Sequence, residues 1–97
     1  LFIINNLKTM LALLFEFVGT LVFFYVIANV GQPIAIAAAL LGAIFFGAAT
    51  SGAHYNPGVS FMMWLMNKIS STQFIQYVLV QGLAAATVVL LSQSQAS

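Results

Sequence analysis

The sequence predicts an all-α membrane protein with three transmembrane helices and one re-entrant half-helix. Of its 97 residues, 63% are hydrophobic and 3% are charged, whereas a water-soluble domain carries charge on about a quarter of its residues. Three apolar stretches are long enough to cross a bilayer. A polar segment with Gly and Pro, residues 51–60 (SGAHYNPGVS), separates the second stretch from the third. We therefore expect an integral, multi-pass membrane protein whose solvent is lipid.

The first span is predicted over residues 10–28, after a short and partly polar lead-in. A helix of that length extends about 29 Å, which is the thickness of the hydrocarbon layer. Lys8 followed by an apolar run is also typical of a signal peptide, but a run of about twenty residues favours a span that is retained.

The second span is predicted over residues 34–50, because the preceding sequence NVGQP, residues 29–33, is typical of a turn at the membrane surface. Small residues recur at every fourth position, at Ala43, Gly47 and Ser51. That pattern permits close contact between helices in lipid.

The re-entrant region is predicted over residues 51–67. Asn56 is a favourable N-cap and Pro57 a favourable first helical residue, so a helix is expected from Pro57 to Asn67. Such a helix is about 16 Å long, which is half of a bilayer. It must begin near the midplane and return to the face from which the chain came.

The third span is predicted over residues 73–91, after a polar turn at residues 68–72 and before a polar tail at residues 92–97. This arrangement places Lys8 and Lys68 on one side of the membrane, which the positive-inside rule makes cytoplasmic. Two lysines are a small bias, so insertion in both orientations is compatible with the sequence. No internal repeat is evident, and the whole chain forms one unit.

The composition disfavours several classes of function. Cysteine is absent, which excludes thiol chemistry, and a lone His54 without a nearby carboxylate predicts no metal site. A net charge of +1 gives no basic surface for nucleic acid. The sequence contains no phosphate-binding loop, nucleophile–base pair or carboxylate pair, so we expect no catalytic residue, no cofactor and no enzyme activity.

The polar segment predicts a path for a solute. Non-helical backbone at membrane depth is tolerated only where it is buried in protein or lines a watery cavity. Residues 51–54 are expected to present carbonyl oxygens along such a path, and Asn56 to direct its amide NH2 group at a molecule in the midplane. The N-terminus of the half-helix adds partial positive charge, which disfavours cations and protons. These requirements fit a channel for neutral solutes, and a kinked, packed helix break is the structural alternative.

At the level of motifs, residues 51–60 resemble the SGAHxNPAV signature of the major intrinsic proteins, the aquaporins and aquaglyceroporins, with Gly58 in place of the usual Ala. Residues 16–20 (EFVGT) resemble the E-x-x-G-T element of that family, and the Gln81-Gly82 pair resembles its Q-x-x-G element less specifically. In order and spacing the resemblance covers nearly the whole chain, but it corresponds to the first half of a family member. It implies half of an aquaporin fold.

The resemblance also implies roles for individual residues. Glu16 is expected to accept hydrogen bonds from backbone N–H groups of the re-entrant loop, with Thr20 one turn away and Gln81 as a further support. His54 is open to two interpretations, a pore-wall donor or pH gate and a hydrogen-bonded core histidine. The implied pore-lining residues are Gly52, Ala53, His54, Asn56 and Val59.

The resemblance also implies which residues form the selectivity filter, because the family's filter residues lie at fixed sequence distances from the Asn that corresponds to Asn56. Val59 stands where the family's second-half signature has an arginine, so a pore made from two such chains has an apolar filter without Arg. We expect such a pore to admit small uncharged solutes such as glycerol as well as water. The four filter positions are Ile36, Ile44, Ala53 and Val59.

A partner is required because one half-helix reaches only the midplane. In the family, two inverted repeats meet tip to tip to complete one pore. The partner is an inverted second copy, a separate second-half subunit, or the remainder of a longer chain. The slight charge bias favours the inverted homodimer, although two lysines on one side count against it. The resemblance further implies a tetramer of pores, which requires eight copies.

Two other functions fit parts of the sequence. Glu16 is the sole carboxylate, and an intramembrane ionisable residue suggests a proton-coupled, dual-topology transporter like the small multidrug transporters, which resemble this chain in length. Those transporters need four continuous spans, however, and residues 51–60 break the chain. A subunit without a pore of its own is the other possibility. The cluster of Met62, Met63, Trp64 and Met66 is interpreted as core and lipid contact rather than as a set of ligands.

Overall fold

The chain forms four helices in a computed structural model that describes residues 1–96. They are α1 (Phe2–Asn29), α2 (Pro33–Ser51), α3 (Pro57–Leu65) and α4 (Ser71–Ala96). No strand occurs within this described part of the chain. Three of the helices, α1, α2 and α4, are long and apolar enough to cross a membrane. The prediction of an all-α membrane protein with three candidate spans and a short fourth helix is confirmed.

Two helices extend beyond the predicted spans because a helix need not end where the hydrocarbon layer ends. α1 begins at Phe2 rather than at Met10, and Thr9 donates its hydroxyl to the carbonyl of Asn5 within the helix, at 3.1 Å. α4 likewise begins at Ser71. At its other end α4 includes most of the predicted polar tail, and Ser97 lies outside the described residues.

The half-helix α3 ends at Leu65, two residues before the predicted end at Asn67. Asn67 has φ +59°, in the left-handed region that asparagine tolerates better than most residues, and this conformation cannot continue a right-handed helix. Its length of about 14 Å still corresponds to half of a bilayer.

α1 lies between α2 and α4. The three-residue connection at residues 30–32 makes α2 antiparallel to α1. α4 is parallel to α1, since Gln81 contacts Glu16 and, farther along both helices, Asn29 donates to the Ser92 hydroxyl at 2.9 Å.

α3 packs against the first turns of α4, and it runs from the loop toward the start of α4. The Trp64 ring stacks on the Phe74 ring with 5.0 Å between their centroids, and the centroids of Phe61 and Phe74 are 6.0 Å apart. The indole N–H of Trp64 donates to the Ser71 hydroxyl at 3.0 Å. Trp64 and Lys68 both lie at or just beyond the C-terminal end of α3, and tryptophan and lysine are residue types typical of the boundary between membrane and water.

Polar and apolar residues are distributed in the reverse of the soluble pattern. Large apolar side chains such as Phe45 and Phe46 are 81% exposed. The buried polar or charged side chains are those of Glu16, Thr20, Ser51, His54, Ser60 and Gln81. A lipid solvent selects this arrangement, because every polar group must find its partner inside the protein.

Candidate functional site in the loop between α2 and α3

The loop, residues 52–56, reverses the chain through an unusual backbone. Gly52 ends α2 with φ +86°, and its N–H still donates to the carbonyl of Ala48 at 3.1 Å. Ala53 and Tyr55 both have φ +55° although neither is glycine. Such conformations cost about 1–3 kcal/mol each and persist only when their surroundings hold them. The contacts of the loop supply that restraint.

Glu16 provides the largest part of it. One carboxylate oxygen accepts from the Ser51 hydroxyl at 2.7 Å and the His54 N–H at 3.1 Å. The other accepts from the Tyr55 N–H at 2.8 Å and the Gln81 side-chain amide at 3.0 Å. All four partners donate, which uses the acceptor capacity of an ionised carboxylate.

The position of Glu16 sets the depth of the loop. Glu16 is fully buried and lies at the middle of α1, whose ends are Phe2 and Asn29. If α1 spans a bilayer, the loop bound to Glu16 therefore lies near the midplane.

Ser51 closes the end of α2. Its hydroxyl accepts from the Ala53 N–H at 3.1 Å while donating to Glu16. Its carbonyl, which has no partner further along α2, accepts from the Tyr77 hydroxyl of α4 at 2.6 Å. The last turn of α2 is thus tied to both neighbouring helices.

The His54 ring faces the protein interior. Its Nδ1 is hydrogen-bonded to the Ser60 hydroxyl at 2.8 Å, and that hydroxyl accepts from the Gln81 amide at 3.0 Å. The ring meets Tyr77 edge-on with 4.9 Å between centroids. Gln81 therefore connects Glu16, which holds the loop backbone, to Ser60, which holds the His54 ring.

Tyr55 inserts between α1 and α2. Its side chain is 1% exposed, and its hydroxyl donates to the Ala43 carbonyl at 2.6 Å. A Cβ added at Gly19 would collide with the Tyr55 ring, and one added at Gly47 would collide with its hydroxyl. The small residues of these helices thus make room for a side chain from the loop.

Asn56 begins α3 and is exposed. Its Oδ1 accepts from the Gly58 N–H at 2.7 Å, which caps the helix, and Pro57 occupies the first helical position. Within the described residues, its NH2 group makes no hydrogen bond. This donor is available to a molecule outside the chain.

The structure distributes the implied pore-lining residues over two environments. Gly52 and Asn56 are exposed on the loop, and Ala53 and Val59 are half-buried beside them. The His54 side chain is only 6% exposed. The loop surface thus combines a free amide donor with backbone and small apolar groups.

The four implied filter positions do not form one ring within a single chain. Ile36 lies one turn into α2, about 22 Å along that helix from Ser51 at the loop. Ile44 is 39% exposed on the same helix. Ala53 and Val59 are the two positions that lie at the loop.

Among the implied supports, Thr20 differs from Glu16 and Gln81. Its hydroxyl is fully buried and makes no hydrogen bond to another described residue. The Gln81 side-chain oxygen also lacks such a bond, although its NH2 group makes two.

Two site residues were missed by sequence reasoning. Tyr77 lies four positions before Gln81, so both lie on one face of α4, and the interval was a usable signal. Ser60 ends the polar segment one turn after Asn56. Its role as the partner of His54 depends on the loop conformation, which spacing does not specify.

Comparison with known proteins gives limited similarity. No family model matches the chain, and no solved structure matches it. A stretch of 43 residues is 37% identical to the glycerol uptake facilitator protein of Buchnera aphidicola subsp. Acyrthosiphon pisum (strain APS). That stretch is 44% of this chain and 16% of the length of the facilitator.

Proposed function

We propose that the chain forms half of a passive transmembrane channel for glycerol and other small uncharged solutes, including water. The observation that carries the proposal is the free amide of Asn56 at the start of α3, beside a loop held at the depth of Glu16. The partial similarity to a glycerol uptake facilitator supports the same class of solute.

The chemistry of the site favours neutral, hydrogen-bonding solutes. The Asn56 NH2 group donates to a hydroxyl oxygen, and the N-terminus of α3 places partial positive charge beside it. The only carboxylate, Glu16, is engaged by four donors and is buried. A solute at Asn56 therefore meets no exposed negative charge on this chain, and cations are disfavoured.

The four hydrogen bonds to the Glu16 carboxylate also favour a channel over a proton-coupled transporter. A proton carrier must exchange its proton with water on both sides of the membrane. Glu16 is 0% exposed, and two backbone N–H groups of the loop depend on it. This arrangement supports a positioning role for Glu16.

An inverted second copy completes the proposed pore. α3 covers about 14 Å, and a hydrocarbon layer of about 30 Å leaves the other half to a second half-helix. In this proposal the two α3 N-termini meet with their Asn56 amides facing one solute. Four such pores, eight chains in all, form the complete assembly.

Glycerol flux into liposomes tests the function. Purified protein in vesicles should accelerate glycerol-driven reswelling over protein-free vesicles. Asn56→Asp keeps the capping oxygen and removes the NH2 donor, so we expect flux to fall about tenfold or more. Asn67→Asp is the matched control at the other end of α3 and should retain flux. Equal flux in the wild type and in Asn56→Asp would contradict the proposal.

Disulfide cross-linking tests the second copy. The chain has no cysteine, and Pro57 is exposed at the tip of α3. Pro57→Cys should cross-link in the membrane, whereas Leu79→Cys, on the lipid-facing side of α4, should not. Gly58 is less suitable, because a Cβ there lies 3.1 Å from the capping oxygen of Asn56. Active protein without a Pro57→Cys cross-link would favour a separate second-half subunit or the remainder of a longer chain as the partner.

A further inference from the structure

A cavity beside the loop gathers three of the four methionines of the chain. It has a volume of about 550 Å³ and lies between α3, the loop and the start of α4. Met62, Met63 and Met66 line it together with His54 and Gly52. The remaining methionine, Met10, lies on α1 and does not line this cavity.

The three methionines occupy neighbouring positions on one side of the C-terminal end of α3, where Met62 is 48% and Met66 55% exposed. Met66 is four residues from Met62 and three from Met63, and these intervals place side chains next to each other on a helix. Met66 still belongs to that turn, because its N–H donates to the Met62 carbonyl at 2.9 Å. Long side chains on a helix lean toward its N-terminus, which here is the direction of the loop.

His54 supplies a nitrogen to the same wall. Its Nδ1 is paired with Ser60, so its Nε2 is the free ring atom. A Cβ at Gly52, another residue of the cavity wall, would lie 3.4 Å from that Nε2. The Ser60 hydroxyl accepts from Gln81, and among the described residues Nδ1 is the acceptor for its own hydrogen, so Nε2 carries the ring proton and the three methionines are the ligands of the site.

The donor set selects a soft ion. No carboxylate lines the cavity, and within the described residues no group of three His, Cys, Asp or Glu side chains gathers to hold a metal. Lys68 lies in the wall, and its positive charge disfavours a divalent ion more strongly than a monovalent one. Neutral thioethers prefer soft metals such as Cu(I). We infer that Met62, Met63 and Met66 bind Cu(I) or the equivalent monovalent ion Ag(I) in this cavity.

Binding of this ion does not depend on the proposed pore. Its effect on transport does, since an ion in this cavity lies beside Gly52 on the proposed solute path. The two ideas therefore need separate readouts, one for metal binding and one for flux.

Silver nitrate in chloride-free buffer is the probe, because Ag(I) does not change oxidation state under these conditions. Protein with carbon-13 methyl methionine gives one methyl signal for each of four methionines. Titration should shift the signals of Met62, Met63 and Met66 to saturation and leave Met10 unchanged. Equal, unsaturable shifts of all four would overturn the inference.

Leucine variants give the affinity test, because leucine keeps the volume and the apolar character of methionine. The triple variant Met62→Leu, Met63→Leu, Met66→Leu should bind Ag(I) about 100-fold more weakly in calorimetry, and Met10→Leu should bind as the wild type does. Unchanged affinity in the triple variant would overturn the inference. So would tighter binding of Zn(II) than of Ag(I).

Glycerol flux separates the two proposals. If both hold, Ag(I) blocks flux in the wild type and leaves the triple variant active. Saturable binding without any block upholds the metal site and removes the cavity from the solute path.

Discussion

At the scale of single residues, Glu16 determines whether the loop has one conformation. It is the only carboxylate in the chain, and it accepts two backbone N–H groups of a loop whose residues Ala53 and Tyr55 have positive φ. Glu16 is fully buried, and in lipid an unpaired amide costs several kcal/mol. The largest part of the restraint on the loop conformation therefore comes from one side chain on another helix.

Replacing Glu16 with Gln should destabilise the protein. One acceptor oxygen becomes an NH2 donor. It then faces two other donors, which are either the Ser51 hydroxyl and the His54 N–H or the Tyr55 N–H and the Gln81 amide. We expect the free energy of unfolding to fall by about 1.5–3 kcal/mol, the range for hydrogen bonds to a charged group. Reversible unfolding in mixed micelles measures it.

The same variant distinguishes the two transport mechanisms. Folded Glu16→Gln protein should still conduct glycerol in liposomes if Glu16 positions the loop. Loss of all transport at normal stability, together with a pH gradient requirement in the wild type, would favour the proton-coupled transporter.

At the scale of the elements, α1 and α2 pack closely around Tyr55. The spacing of small residues in the sequence predicts only part of this arrangement. The interval of four at Ala43, Gly47 and Ser51 predicts a close helix contact. In the structure Gly47 and Gly19 receive the Tyr55 side chain, and Ala43 offers its carbonyl to the Tyr55 hydroxyl. The small residues can be recognised in the sequence. The side chain that fills the space between them, Tyr55, comes from the loop, and the sequence pattern does not predict it.

Gly47→Ala should destabilise the protein by about 1–3 kcal/mol, because the new methyl group overpacks against the Tyr55 hydroxyl. Gly42→Ala on the same helix is the matched control, since a Cβ there has no atom within 4 Å. Thermal unfolding of the two variants in detergent measures the difference.

A double-mutant cycle identifies Tyr55 as the cause. In a Tyr55→Phe background the hydroxyl is gone, so Gly47→Ala should cost less than it does in the wild type. An equal cost in both backgrounds would mean that another contact at Gly47 is responsible.

The ends of the helices show where sequence reasoning succeeds. Asn56 and Pro57 predicted the start of α3, since an N-cap and a first-turn proline act through local backbone chemistry. α1 begins at Phe2, before the span predicted from residue 10, because polar residues such as Asn5 and Lys8 continue a helix beyond the hydrocarbon layer at little cost. Tyr77 and Ser60 were missed, because their partners, Ser51 and His54, are distant in sequence or placed by the loop.

At the scale of the whole molecule, both lysines lie at one end. α1 and α4 are parallel, so Lys8 and Lys68 lie near the start of each, and the connection between α1 and α2 lies at the other end. A positive end of only two lysines orients a membrane protein weakly. This small bias is a condition for the inverted pair of the proposed pore.

Labelling of introduced cysteines should reveal two orientations in the native membrane. Thr72→Cys reports the lysine end and Gln32→Cys the opposite end, and both positions are exposed. With inverted pairs, an impermeant thiol reagent outside sealed vesicles should modify about half of the molecules at each site.

Complete labelling at one end and none at the other would contradict the inverted homodimer. It would leave a separate second-half subunit, or the remainder of a longer chain, as the partner. Vesicles opened with detergent give the total number of reactive cysteines and control for buried sites.

The order of Glu16 and its hydrogen-bond partners along the chain determines when these bonds can form during synthesis. Its partners Ser51, His54, Tyr55 and Gln81 follow it by 35, 38, 39 and 65 residues. A ribosome therefore delivers the carboxylate to the insertion machinery well before the last of its donors exists. Until α4 emerges, the nascent chain holds an incompletely paired carboxylate, because the Gln81 amide of α4 is the last of its four donors to be made.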